Sequence, residues 1–398
     1  MYDVTNLPGD REHTARFTAD PDIIYVGGGR NRTAYRSFDG GVTWTGIGNS
    51  FSLFADYHNP LRIIKSTWDD LLISYDGGTS WTEVFYASDP NLGLHVAGAH
   101  FDQDTIVVAT NNGLLVSTNG GTSFAVDSTI GGIPSGQSYG SFASAKAGGV
   151  TRFFCVAARD IYGGITAEEL YNHNWINDDT TGTSSPGGVY RLDWGTDSAW
   201  TRVDVGQIDA NHSRAYVRMA SNNIATAYVA AHNYTGFPDI YKTSDGGGTW
   251  SSILSPKESN KNIETGWGGR RSRFEWWWGG RPVDLGVDPL NADRVAFTDY
   301  FWVHLSLDGG TNWRQAYTSP SNPANVNTPR DGWYTGVGLE NTSSWWVTWK
   351  SPSQMFASYT DMTGIRSDNG GERWSYTFSY AGQINSTYQV LLHSSGAS

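Results

Sequence analysis

The sequence predicts an all-β chain of seven four-stranded antiparallel blades, and three observations carry that prediction. An eight-residue phrase, Ser/Thr-x-Asp/Asn-x-Gly-x-x-Trp/Phe, recurs six times, starting at Ser37, Ser74, Ser117, Thr243, Ser306 and Ser367. Where no long insertion intervenes, the copies stand roughly 40 to 60 residues apart, which is the length of one blade of a β-propeller. Around the copies, residues alternate with the period of two that marks strands, as at Ala34 and Arg36 against Tyr35 and Ser37. Composition agrees: 48 Gly, 18 Trp, 21 Tyr and only 17% charged residues in 398.

Each repeat reads as a turn. A strand ends at the Ser or Thr, the glycines supply positive φ, the Asp or Asn caps backbone N–H groups, and the closing aromatic tucks under the next strand. Such a phrase is a fold element rather than a reactive site. Strand order is the same around every copy: in blade one strands are expected at 14–20, 22–28, 33–37 and 42–47, and in blade six at 283–288, 294–299, 302–306 and 312–317. Between the third and fourth copies a degenerate blade carries YRLDWGTDSAW at 190–200 where the phrase should stand. The whole chain, 1–398, is therefore expected to be a single propeller domain, with blades at approximately 1–48, 49–86, 95–127, 138–205, 212–254, 282–318 and 340–380. Residues 386–398 either close the ring or begin a truncated eighth blade.

The net charge of −12 argues against nucleic acid as a partner, since there is no basic stripe to displace phosphate counterions. With a single cysteine, Cys155, no disulfide can form within the chain; flanked by Phe153, Phe154 and Val156, it reads as a small buried hydrophobe. No metal-binding Cys/His spacing occurs, so neither metal nor other cofactor is expected. No apolar run reaches transmembrane length, and MYDVTNLPGDREH lacks the regions of a signal peptide. The expected location is extracellular or surface-exposed, by export with the leader removed or as a virion component.

Antiparallel connections alternate ends, so the loops between second and third strands, and those between blades, share the end opposite the repeats. Those loops are rich in aromatic and polar side chains. Segment 266–281, GWGGRRSRFEWWWGGR, contributes Trp267, Arg270, Arg271, Arg273, Glu275, Trp276, Trp277 and Trp278, and PRDGWY contributes Trp333 and Tyr334. Trp68, His232, Tyr234 and Trp302 stand between second and third strands. A pyranose presents a C–H face that stacks on indole and hydroxyls that need directional partners, so these residues are the expected binding set and a polysaccharide or oligosaccharide the expected partner. Trp276, Trp277 and Trp278 cannot all point one way on a strand, so at least one of them is packing.

The repeated phrase resembles the Asp-box, or BNR repeat, of sialidase-like and xyloglucanase-like β-propeller glycoside hydrolases, and the resemblance covers nearly the whole chain. VDPLNADRVAFTDYFWVHLSLDGGTNW and GLENTSSWWVTWKSPSQMFASYTDMTGIRSDNGGERW are similar to the repeating units of the xyloglucanase type. That resemblance implies catalytic aspartates just after the second strand of a blade. Asp361 in YTDMTGIRS matches that position; Asp299 in FTDYFWVHLS occupies the same slot without the glycine, and Asp160 is a further candidate partner. Inverting hydrolysis would use one as acid and one as base, roughly 6.5 to 9.5 Å apart. Blade one, GGGRNRTAYRS, offers no carboxylate at that slot, and the family faces two propellers across a cleft where this chain has length for one. A non-catalytic glycan-binding or structural propeller, with a protein partner or second propeller completing the cleft, is the second reading. A polysaccharide lyase using His232, Tyr234 and the arginines is the third.

Overall fold

The computed structural model describes residues 14–27, 33–134, 137–159, 187–232, 238–254, 282–299, 303–316, 318–319, 321–322, 332–336, 344–360, 364–375 and 386–390. Among them there are strands and turns but no helix, hence none long and apolar enough to cross a membrane. The chain divides into two compact units, Met1–Val205 with Ser213–Val217, and Gly206–His212 with Arg218–Ser398.

In the first unit, four sheets follow one another: β1 (Thr14–Phe17), β2 (Ile24–Gly27), β3 (Thr33–Ser37) and β4 (Thr45–Asn49); β5 (Ser52–Ala55), β6 (Ile63–Ser66), β7 (Asp70–Ser74) and β8 (Thr82–Tyr86); β9 (Val96–Asp102), β10 (Thr105–Thr110), β11 (Gly113–Ser117) and β12 (Ala125–Val126); β13 (Gln137–Ala147), β14 (Val150–Arg159), β15 (Val189–Trp194) and β16 (Thr201–Arg202). Strand β17 (Ser213–Met219) opens the next sheet with β18 (Ala227–His232), β19 (Pro238–Thr243) and β20 (Ser251–Leu254). The second unit continues with β21 (Asp284–Asp288), β22 (Asn291–Thr298), β23 (Val303–Ser306) and β24 (Arg314–Gln315), then β25 (Trp333–Tyr334), β26 (Ser344–Trp349), β27 (Met355–Tyr359), β28 (Gly364–Ser367) and β29 (Trp374–Ser375). Every sheet is a four-stranded antiparallel meander in chain order, and the last gains β25 as a fifth strand on β29. The fold is the all-β, seven-bladed β-propeller class.

Period-two alternation explains how these sheets bury both faces. On β10, Ile106 and Val108 join a cluster with Ile64, Leu71, Ile73 and Val96, while Val107 and Ala109 turn to the opposite face and join Phe142, Phe153, Cys155 and Leu192. One strand therefore supplies two cores. Cys155 is fully buried, and burial pushes its thiol well above the usual range, which makes it inert packing.

All six repeats form the same turn. The Ser or Thr hydroxyl accepts the N–H of the second glycine at 2.8–2.9 Å, as Ser37 does for Gly41 and Ser117 for Gly121. The Asp or Asn accepts the N–H four residues on, as Asp39 does for Thr43 at 2.8 Å and Asn119 for Ser123 at 3.1 Å. Both glycines have positive φ, 70° and 93° at Gly40 and Gly41, which Ala would adopt only with strain. Hydrogen bonds, led by the Thr43 hydroxyl, hold the Asp39 carboxyl down at about 2; it is a locked acceptor, unsuited to donating a proton near neutrality.

Adjacent sheets are stitched by an equivalent pair of contacts. Tyr25 donates to Pro60 O at 2.8 Å and Tyr228 to Ala292 O at 2.7 Å; Arg36 donates to Gly77 O at 2.8 Å and Lys242 to Gly309 O at 3.1 Å. Beside the first of these, Lys65 is buried, donates to Ile47 O at 2.9 Å and lies 4.1 Å from the Trp81 ring centre. Burial lowers its ammonium to about 8 from the ordinary 10.5. Between those values the unfolded chain holds the proton that the folded chain has released, so Lys65 makes stability rise with pH from about 8 to about 10.5. Lys65→Met should remove a slope of up to roughly 1.4 kcal/mol per pH unit. Urea midpoints of both proteins at pH 7.5, 8.5 and 9.5 check this, and parallel profiles would refute it.

Candidate functional site

In the six sheets that carry it the repeat turn stands between third and fourth strands, so the antiparallel order sets the connection between second and third strands at the other end. Trp68 occupies that connection in the second sheet. Its indole N–H donates to Pro90 O at 2.8 Å, and its ring lies 5.8 Å from Phe51, tilted by 57°. Next to it, Asp69 O accepts Ala87 N–H at 2.8 Å and Asp69 Oδ2 lies 3.4 Å from the exposed Tyr86 hydroxyl, a charge that raises the phenol's pKa. Asn112 of the third sheet accepts both the N–H and the hydroxyl of Ser88, and Asn111 donates to Gly93 O at 2.9 Å. The loop after β8 is thus tied on both sides, so Trp68 is half-buried on a rigid support.

In the second unit, Asp299 directly follows β22 and is buried. Its Oδ2 lies 3.0 Å from His304 Nε2, with the His304 and Asp299 side chains 1% and 0% exposed. The register explains the meeting. Phe297 pairs with His304 across the strands, and the two rings stack 4.5 Å apart; Asp299, two residues on, shares the Phe297 face and reaches the same imidazole. This carboxylate is a packing partner of a histidine, without an exposed face toward solvent.

His232, at the end of β18, is also fully buried. Tyr334 is buried and pairs with Trp374 across β25 and β29. Trp333 lies beside the sixth repeat, with the guanidinium of Arg373 4.7 Å and that of Arg366 5.3 Å from its ring centre. Its ring therefore meets two cations of its own sheet, at the end where the repeat turn stands. Asp361, Asp160, Trp267, Arg270, Arg271, Arg273, Glu275, Trp276, Trp277, Trp278, Trp302 and Tyr234 lie outside the described residues. Among the described residues no group of three or more His, Cys, Asp or Glu is placed to hold a metal ion.

Sequence reasoning missed the strongest aromatic exposure. On β26, Trp345, Trp346 and Trp349 are each about half exposed, and Tyr388 lies against Trp345 with ring centres 5.0 Å apart at 62°. The Trp345 indole donates to Thr360 Oγ1 at 2.5 Å, and Thr360 directly precedes Asp361 in the chain. The run SWWVTW was the available signal: three tryptophans in six residues cannot all be buried by one edge strand.

A scan against models of known protein families gives no match, and a search of curated protein sequences gives none. Solved structures do resemble the chain. The GH74 xyloglucanase from Xanthomonas campestris superposes with a TM-score of 0.57 at 15% identity over 93% of this chain and 61% of that one. An ancestral GH74 enzyme gives 0.61 at 17% identity, over 93% of this chain and 49% of its own. YCF48 bound to D1 peptide gives 0.50 at 14%, over 94% and 96%. The chain spans about half to three fifths of the GH74 enzymes' length. At these identities the likeness is one of fold, and with the seven meanders it places the chain among seven-bladed β-propellers.

Proposed function

We propose that this protein is a carbohydrate-active propeller that acts on a neutral polysaccharide of the xyloglucan or β-glucan kind, with Asp361 as its catalytic acid. The observation that carries the reading is the hydrogen bond from the exposed Trp345 indole to Thr360, the residue that directly precedes the motif-matched Asp361 in the chain. The fold shared with GH74 xyloglucanases supports it. A general acid must keep its proton near neutrality, which an apolar setting favours.

Asp361→Asn preserves shape and removes the titrating group. The expected result is loss of reducing-end release from xyloglucan or β-glucan by about a hundredfold or more, with oligosaccharide binding retained. A variant that cleaves at the wild-type rate would make Asp361 structural.

The second reading is a non-catalytic glycan-binding propeller at a virion or cell-envelope surface. The burial of Asp299 favours it, since one of the two slot-equivalent carboxylates is packed against His304 rather than exposed. Wild-type protein that binds glycan and releases no reducing ends would select this reading.

A further inference from the structure

We propose that the corner between Trp345 and Tyr388 is a binding platform for a pyranose ring of a neutral glycan. The proposal rests on the carbohydrate reading above and names the surface that holds the chain. Among the described residues, β26 stands at the edge of its sheet and pairs with β27 and no other strand. Trp345 is 50% and Tyr388 64% exposed, and at 62° their rings make two walls of an open corner. The corner is braced from behind: Thr387 N–H donates to Tyr359 O at 3.1 Å, and Thr348 donates its hydroxyl to Val390 O at 2.6 Å.

The chemistry of the surface selects the ligand. Because the Trp345 indole N–H is committed to Thr360, the ring offers a partner only its faces, which suit C–H groups. Around it stand hydroxyl and amide side chains, and neither SWWVTW nor STYQV contains a charged residue. Among the described residues of this corner a uronate or a sulfated sugar would find no counter-charge, Lys350 standing beyond Trp349 at the far end of the strand, whereas a neutral pyranose would find ring faces and hydrogen-bonding hydroxyls.

The test is calorimetric titration of the full chain with xyloglucan oligosaccharides, cello-oligosaccharides and oligogalacturonate, for wild type, Trp345→Ala, Tyr388→Ala and Tyr388→Phe. The expected result is binding of a neutral oligosaccharide that weakens about tenfold to a hundredfold in both alanine variants and by much less in Tyr388→Phe, with melting temperature unchanged. If wild type binds neutral glycan and the alanine variants bind it equally well, the platform is wrong while the carbohydrate reading stands. Preference for oligogalacturonate overturns the neutral class. Absence of any glycan binding sinks the reading and the platform together. If sedimentation shows self-association that Trp345→Ala abolishes, the surface is an interface for a second copy instead.

Discussion

Replacing Trp313 by alanine should lower the free energy of unfolding by about 3–5 kcal/mol, a substantial part of the stability of an ordinary domain. Trp313 closes the fifth repeat and is 0% exposed. Its ring meets Phe297 edge-on at 5.6 Å and 74°, and its indole N–H donates to Ile253 O at 3.2 Å, so the truncation opens a large cavity and deprives a buried carbonyl of its donor. The equivalent residues grade the effect. Trp250 is almost as buried, whereas Trp44 and Trp81 are half-buried and should cost less when truncated. Guanidinium denaturation of the four alanine variants checks the order. A loss below about 1 kcal/mol at Trp313 would show that the closing aromatic is not what holds the sheet.

The repeats were legible because each position of the phrase answers one local demand. Ser37, Asp39, Gly40 and Gly41 fix a turn by hydrogen bonds four residues apart at most, so sequence alone places β3 at 33–37 as observed. Strand lengths were less legible, because side chains near strand ends compete for the backbone. The first strand was expected to run to 20, but the Thr18 hydroxyl donates to Asp20 O and accepts Asp20 N–H, which turns the chain after Phe17. The fourth was expected to start at 42, but Asp39 holds Thr43 N–H, and β4 begins at Thr45. In blade six the closing strand shrinks to Arg314–Gln315 in the same way, with Asp308 holding Asn312 N–H.

Slot equivalence placed Asp299 and Asp361 in matching positions, but a slot says nothing of what a neighbouring strand sets opposite. His304 faces Phe297 only through the register of β22 with β23, which depends on the length of the connection between them as well as on the strands' own pattern. Trp345 escaped notice for the converse reason. Tryptophan in a strand-like run reads as core, as it would in the equally placed but buried first strand β17, whereas β26 is exposed along most of its length.

That difference gives Asp299 a test of its own. Asp299→Ala should destabilise the protein by about 3–5 kcal/mol, because it leaves the His304 Nε2 buried beside Phe297 without the carboxylate that faces it. Asp299→Asn keeps an oxygen at the same place and should cost less, about 1–3 kcal/mol. Paired His304→Gln and Asp299→Asn changes should be non-additive, since each removes the same contact. Corrected for the folded fraction, Asp299→Asn should bind glycan and, where wild type cleaves, cleave it as wild type does. A well-folded Asp299→Asn protein with cleavage abolished would return this carboxylate to the chemistry and make His304 the residue that positions it.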